Sequence, residues 1–246
     1  MMEKQILIEI RDVKKTLNGH AVLNGVNLTI YKGDLIAIVG ASGGGKSVLM
    51  KNVIGLMKPD YGQIIIDGKN TVNMSHRQYL KIIERFGVLF QSGALFDSIN
   101  VYENIAFPLR ERTKLKEKDI KLKIEDVLAS VGLKGMDNKY PAELSGGMRK
   151  RAALARAIVL NPDVVFFDEP TTGLDPILMN AIHGLIKENH HQYGYTGIII
   201  SHEIPKIFSV ANKVAMLHDG LIIAYGTPEE IQNSENPHVR NFLYNQ

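Results

Sequence analysis

Short apolar runs separated by glycine-rich turns dominate the pattern of hydrophobic and polar positions along the chain. The runs at residues 35–39, 164–167 and 198–200 contain no polar side chain. Such runs are typical of strands that are buried on both faces of a mostly parallel sheet. Segments 5–13 and 24–32 predict two earlier strands, and residues 64–66 predict a strand that ends in a tight turn at Asp67-Gly68.

Helical spacing replaces this pattern over about residues 97–159. Residues 116–130 place Ile120, Ile124, Val127 and Leu128 on one face, with lysines and acids between them. Further helices are predicted at about 47–56 and 146–159, and a terminal hairpin at 213–225 around Asp219-Gly220. The pattern predicts one α/β core, interrupted by a helical insertion.

Composition narrows the function classes. The 246 residues have a net charge of +3, too small to indicate nucleic-acid binding, and the charge run 110–123 predicts a solvated helix face. The absence of cysteine excludes disulfides and thiolate metal sites. We find neither a signal peptide at the N-terminus nor an apolar stretch long enough to span a membrane, so any membrane role is expected to act through a partner.

A glycine-rich loop joins the predicted strand 35–39 to the predicted helix that follows, and it fits the pattern G-x-x-x-x-G-K-[ST]. Its residues are Gly40, Ala41, Ser42, Gly43, Gly44, Gly45, Lys46 and Ser47. Glycines let backbone N–H groups turn towards phosphate oxygens, and the helix N-terminus adds a positive field. We expect Lys46 to bind the β- and γ-phosphates of a nucleotide and the Ser47 hydroxyl to bind Mg²⁺.

Two further motifs carry chemistry. The apolar run 164–167 ends in Asp168 and Glu169, the Walker B pattern, which predicts a Mg²⁺ ligand followed by a general base. The sequence LSGGM places Ser145, Gly146 and Gly147 at the start of a helix, where they form a second potential anion site. A simple serine cap would not require two glycines.

These three motifs, in this order, resemble the ATP-binding cassette (ABC) family over about residues 5–230. The resemblance implies an α/β fold: a P-loop NTPase (RecA-like) core with an antiparallel β subdomain and an inserted helical subdomain. It also implies an ATPase whose Gln91 senses Mg²⁺ and the attacking water, whose Asp175 lies in the D-loop, and whose His202 contacts the γ-phosphate. The implied small ligands are ATP and Mg²⁺.

The family resemblance further implies a head-to-tail dimer, in which Lys46 of one subunit and Ser145 of the other hold the same ATP. Two positions depart from the family pattern. Met148 stands where glutamine is usual, and Leu17 aligns with the aromatic residue that usually stacks on adenine. The basic residues Arg149, Lys150, Arg151 and Arg156 predict a solvated helix face near the nucleotide.

Segments 92–96, 100–110, 201–205 and 237–243 are similar to the ATPases of bacterial lipid transporters associated with mammalian-cell-entry (MCE) proteins, including the phospholipid-handling Mla system. This resemblance implies an integral permease partner of the MlaE-like type and a peripheral position on the cytoplasmic face of the inner membrane. Alternatives are the ATPase of an amino-acid or ion transporter and a soluble, non-transport ABC protein.

The whole chain, residues 1–246, is expected to form one ABC ATPase domain. Residues 1–91 and 160–225 predict the nucleotide-binding core, 92–159 the helical subdomain and 226–246 a C-terminal tail. Leu95, Phe96 and Phe107 fall where core and helical subdomain join. They predict either local core packing or a groove for a short permease helix.

Overall fold

The computed structural model describes residues 5–244, so the first residues of the predicted core and the last two of the predicted tail lie outside the described part. The first elements in chain order are β1 (Ile6–Leu17), β2 (His20–Tyr31), β3 (Leu35–Val39), α1 (Lys46–Val53), β4 (Tyr61–Ile66), β5 (Lys69–Asn70), α2 (His76–Ile83), β6 (Phe86–Leu89), α3 (Val101–Arg112) and α4 (Glu117–Ser130). The remaining ones are α5 (Gly146–Ile158), β7 (Val164–Asp168), α6 (Pro176–Tyr193), β8 (Thr196–Ser201), β9 (Lys213–His218), β10 (Leu221–Gly226), α7 (Pro228–Gln232) and α8 (Pro237–Tyr244).

The described residues fall into two compact units, and the first contains the chain up to Ile83 and from Thr196 onwards. An antiparallel sheet in the order β2-β1-β4-β5 occupies one part of this unit. A second group of strands runs in the order β10-β9-β3-β8, with β3 parallel to both β8 and β9. All five residues of β3 are buried, because the strand is covered on both faces.

The second unit, Glu84–Tyr195, combines the parallel pair β6 and β7 with helices α3 to α6. Leu89 pairs with Phe167, so both strands end at the same edge. A side chain at Gly87 would lie 2.2 Å from the carbonyl oxygen of Ala157 in α5. Glycine in β6 therefore permits the close approach of α5, which carries the LSGGM sequence at its N-terminus.

The predicted elements are largely confirmed. Strands occur at each predicted apolar run, and α4 buries the predicted face of Ile120, Ile124, Val127 and Leu128. The segment 110–123 is mainly exposed, as expected, although it covers the end of α3 and a connection as well as the start of α4. None of the helices within residues 5–244 has the length and apolar character needed to cross a membrane.

Candidate functional site

The glycine loop between β3 and α1 has the backbone that its sequence predicts. Gly40, Gly43 and Gly45 have φ angles of 154°, 76° and 93°, which disfavour any residue with a side chain. A Cβ atom at Gly40 would lie 2.2 Å from the carbonyl oxygen of Leu217 in β9. The first glycine is therefore required both by conformation and by the neighbouring strand.

Lys46 begins α1 and folds back over this loop. Its Nζ donates to the carbonyl oxygens of Gly40 at 2.8 Å and Ala41 at 2.9 Å, and the residue is buried. Ala41, Ser42 and Gly43 are exposed, while Ser47 is half-buried in the first turn of the helix. An ammonium group and a helix N-terminus thus concentrate positive charge on one short loop, as an anion site requires.

His202 follows the strand next to this loop. Val39 at the end of β3 pairs with Ser201 at the end of parallel β8, so Gly40 and His202 leave the sheet at the same edge. The Ser201 hydroxyl accepts a hydrogen bond from the backbone N–H of Glu203 at 3.0 Å, which fixes the turn around His202. The first unit therefore brings the P-loop and His202 to one edge of its sheet.

The second unit brings Gln91 and Glu169 together. Gln91 Nε2 donates to Glu169 Oε2 at 3.2 Å, and the Thr172 hydroxyl donates to the same oxygen at 3.0 Å. Two donors on one oxygen hold the carboxylate in one orientation. The sequence analysis gave Thr172 no role, although its position three residues after Glu169 was a signal for a side chain within reach of the carboxylate.

Glu169 also has an unusual backbone. Its φ angle is 46°, in the left-handed region that non-glycine residues rarely occupy. Such strain costs on the order of 1–3 kcal/mol and clusters at functional sites. Asp168, the last residue of β7, is buried beside it.

The LSGGM turn begins α5. Ser145 is the N-cap and accepts from the backbone N–H of Met148 at 3.3 Å. A Cβ atom at Gly147 would lie 3.3 Å from a methyl group of Leu178, so the second glycine allows close packing against α6. Asp175 caps α6, since its Oδ1 accepts from the N–H groups of Ile177 at 2.9 Å and Leu178 at 3.0 Å.

The expectation that the basic residues after LSGGM form a solvated face is wrong for Lys150, which is buried with 7% of its surface exposed. Arg151 and Arg156 are half-buried, and their guanidinium groups donate to backbone carbonyls. Burial lowers the pKa of Arg156 below its ordinary value because the charged form loses solvation. Sequence showed cations at helical spacing but could not show the carbonyls opposite them.

The profile of the ABC transporter family matches residues 23–172, which is more than half of the chain. The chain belongs to the ABC transporter family. It is an ABC ATPase, the ATP-hydrolysing component of a transporter, as the sequence motifs predicted.

Two kinds of relative give finer detail. The intermembrane phospholipid transport system ATP-binding protein MlaF of Escherichia coli is 41% identical over 98% of this ABC ATPase and 91% of its own length. The "Probable ribonucleotide transport ATP-binding protein mkl" of Mycobacterium tuberculosis is 43% identical over 97% of this chain and 66% of its own length. The predicted resemblance to Mla-type ATPases is confirmed.

Solved ABC structures confirm the fold class. CbiO1 from Clostridium perfringens, part of the ABC transporter complex CbiONQ, has a TM-score of 0.86 and 30% identity, covering 98% of this chain and 96% of its own. A dimeric post-hydrolysis form of the cassette MJ0796 with ADP and Pi has a TM-score of 0.81 and 27% identity, covering 90% and 99%.

The side chains predicted to bind Mg²⁺ are of a chemical type that this ion prefers. Residues 5–244 contain no cluster of three or more His, Asp or Glu side chains that could hold a metal ion. The hard oxygen donors predicted for the metal are the Ser47 hydroxyl, the Asp168 carboxylate and the Gln91 amide. Mg²⁺ commonly binds through one or two protein oxygens completed by phosphates and waters, which matches this sparse set.

Leu17 makes nucleotide preference testable. It ends β1 and pairs with His20 across a two-residue turn, and it offers no aromatic face. Stacking of a base on an aromatic ring contributes on the order of 1–3 kcal/mol. Because Leu17 cannot supply this contribution, we expect ATP and GTP to bind with affinities within about tenfold of each other. Isothermal titration of both nucleotides would measure the ratio. A much larger preference for ATP would contradict the expectation and direct attention to His20, the exposed ring opposite Leu17.

Proposed function

We propose that the P-loop residues Gly40–Ser47 bind the phosphates of MgATP and that Glu169 is the general base of hydrolysis. The observation that carries this proposal is the Glu169 carboxylate held by Gln91 and Thr172 at the end of β7. When bound, Mg²⁺ neutralises charge on the phosphates, and Ser47, Asp168 and Gln91 would hold it. Lys46 and His202 stabilise the charge of the γ-phosphate, and Glu169 takes a proton from the attacking water.

We further propose that two copies act head to tail, so that Ser145, Gly146 and Gly147 of one copy bind the nucleotide held by Lys46 of the other. Asp175 belongs to the same interface. Support comes from the exposed Ser145 at a helix N-terminus and from a similar solved cassette that is dimeric. Such an arrangement makes hydrolysis depend on dimer formation.

We infer that the transported substrate is a phospholipid or related lipid. MlaF, whose name assigns it to intermembrane phospholipid transport, matches this chain over nearly all of both proteins. The name of the mycobacterial relative assigns it to ribonucleotide transport, but about a third of that protein lies outside the aligned region. We propose that the ATPase lies on the cytoplasmic face of the inner membrane, bound to an MCE-associated, MlaE-like permease.

The surface that would receive the permease lies within the second unit. A groove of about 320 Å³ is lined by aromatic and aliphatic side chains, with Glu111 and Arg112 among its polar residues. Phe96 and Phe107 both line it, each 48% exposed, with their rings edge to face at a centroid distance of 5.5 Å. This half-exposed pair favours the groove interpretation over core packing.

Asn104 gives the groove a defined shape. Its buried amide accepts from the backbone N–H of Phe96 at 2.8 Å and donates to the Phe96 carbonyl at 3.0 Å. The same amide nitrogen reaches the carbonyl oxygens of Ile99 and Asn100. The loop that carries Phe96 is therefore anchored on α3, as a preformed pocket for an amphipathic helix requires. We propose that a short cytoplasmic helix of the permease occupies the groove.

Phe96→Asp should uncouple the ATPase from its permease. A carboxylate in the apolar groove loses the contact area of the ring and would be desolvated by the docked helix. We expect the purified ATPase to hydrolyse ATP as wild type does, but to lose co-purification with the permease and support of lipid movement between membranes.

Leu122→Asp is the matched control, because Leu122 is exposed on α4 and does not line the groove. It should leave both hydrolysis and co-purification unchanged. An unfolded Phe96→Asp protein would instead favour core packing. Recovery of an amino-acid or nucleotide permease by the wild-type ATPase would contradict the lipid proposal while leaving the ATPase role intact.

A further inference from the structure

The segment that carries Gln91 is bonded along one side of α5. Lys150 Nζ donates to the backbone carbonyl of Gln91. The two terminal nitrogens of Arg156 donate to the backbone carbonyls of Gly93 at 2.9 Å and Ala94 at 2.7 Å. Two cations on one helix therefore hold three carbonyl oxygens within four residues.

The backbone of this segment is shaped for the contact. Gly93 and Ala94 have φ angles of 79° and 47°, so two successive residues adopt the left-handed region. A Cβ atom at Gly93 would lie 3.4 Å from that of Ala153, which is ordinary contact distance. Alanine rarely adopts the conformation seen at residue 94. The turn is thus held in an uncommon shape, with its carbonyls facing one guanidinium.

The burial of Lys150 and the half-burial of Arg156 argue against a role in solubility. Lys150 is 93% buried, since 7% of its surface is exposed, and a buried ammonium is unfavourable unless it is well hydrogen-bonded. Hydrogen bonds from charged donors to carbonyls are stronger and more directional than neutral ones. Such groups fix the position of the chain segment they bind.

The contacts between α5 and the Gln91 segment connect two proposed functional groups, Ser145 and the Glu169 carboxylate. Ser145 is the N-cap of helix α5, and residues 150 and 156 of the helix are separated by about 9 Å along its axis. Gln91, bonded to α5 through its carbonyl, bonds Glu169 through its side chain. The residue whose amide bonds Glu169 is therefore itself bonded to the helix that Ser145 caps.

We infer that Lys150 and Arg156 are positioning residues that fix the Gln91 amide against Glu169 and tie its position to helix α5. The inference rests on the proposed roles of Gln91 and Glu169. Through these contacts, movement of the LSGGM turn at Ser145 is transmitted along α5 to Gln91, and from the Gln91 amide to the Glu169 carboxylate. Neither cation touches the reacting atoms in this assignment.

A double-mutant cycle tests the link. Lys150→Met and Arg156→Met should each lower kcat roughly ten- to hundredfold, the range expected for misplacing a catalytic group by about 1 Å, while KM for ATP changes less than about twofold. Lys150→Arg, which keeps a cation, should recover most of the loss. In a Gln91→Ala background, where Glu169 still supports measurable turnover, Lys150→Met should lower kcat less than about twofold further.

Arg151→Met is the matched control, because the Arg151 guanidinium donates to the carbonyl of Val131 at 3.2 Å, outside segment 91–94. Arg151→Met should change the melting temperature about as much as Lys150→Met does, and it should leave kcat within about twofold of the wild-type value. Equal losses of kcat in Lys150→Met and Arg151→Met would overturn the inference, as would an undiminished effect of Lys150→Met in the Gln91→Ala background. Glu169→Gln tests the base itself, so its failure is separate from failure of the link.

Discussion

Glu169→Gln should bind MgATP with wild-type affinity and hydrolyse it about 10²- to 10⁴-fold more slowly, the contribution typical of a general base. The amide cannot take the proton of the attacking water. It has nearly the shape of the carboxylate, so Thr172 can still donate to its oxygen. Asp168, Ser47 and the P-loop remain unchanged, and nucleotide binding should persist.

The measurement is single-turnover hydrolysis by highly purified protein, together with the oligomeric state in MgATP. The variant should accumulate as an ATP-bound dimer, because the step that releases the dimer no longer occurs. Glu188→Gln is the matched control, because Glu188 is exposed on α6. This variant should hydrolyse ATP at the wild-type rate. Hydrolysis by Glu169→Gln at a rate near wild type would remove Glu169 as the base.

Ser145→Arg should abolish ATP-driven dimerisation and reduce hydrolysis to background, with nucleotide binding by the single subunit largely intact. Ser145 is exposed at the start of α5, where the side chain of arginine would fill the position proposed for the phosphates of the opposite subunit. Lys46 and the P-loop belong to a different part of the chain and are not altered.

Ser145→Ala separates the two effects of that change. It removes the capping bond to Met148, at a cost of about 1 kcal/mol, but adds no bulk. Sedimentation in the Glu169→Gln background should show dimers with Ser145→Ala and monomers with Ser145→Arg. If Ser145→Arg protein dimerises and hydrolyses ATP like wild type, the composite site across two subunits is wrong.

The P-loop was predictable because all of its determinants are local. Glycines at fixed spacing, a buried strand before them and a helix after them appear together in one short stretch of sequence. The buried face of α4 was predictable for a similar reason, since its apolar residues repeat at helical spacing without interruption. Both predictions required only the periodicity of one element.

The contact between Gln91 and Glu169 depends on more than local pattern. It arises because β6 and β7 pair in register, and β6 has only four residues, too few for a strong signal of its own. The exposure of Lys150 was predicted wrongly, because a cation at a helical position gives no information about the carbonyl that faces it. Helix α6 also buries His183 and Asn189, which interrupts the apolar periodicity that would have indicated its inner face.

The left-handed backbone of Glu169 sets stability and turnover against each other at one position. Glycine there would relieve about 1–2 kcal/mol of conformational strain, while removing the only carboxylate that Gln91 and Thr172 orient in the described structure. A redesign that chooses residues by folding energy alone would therefore prefer glycine to glutamate at this position. Engineering this ATPase for heat resistance has to exempt position 169, and the gain in melting temperature must come from elsewhere in the chain.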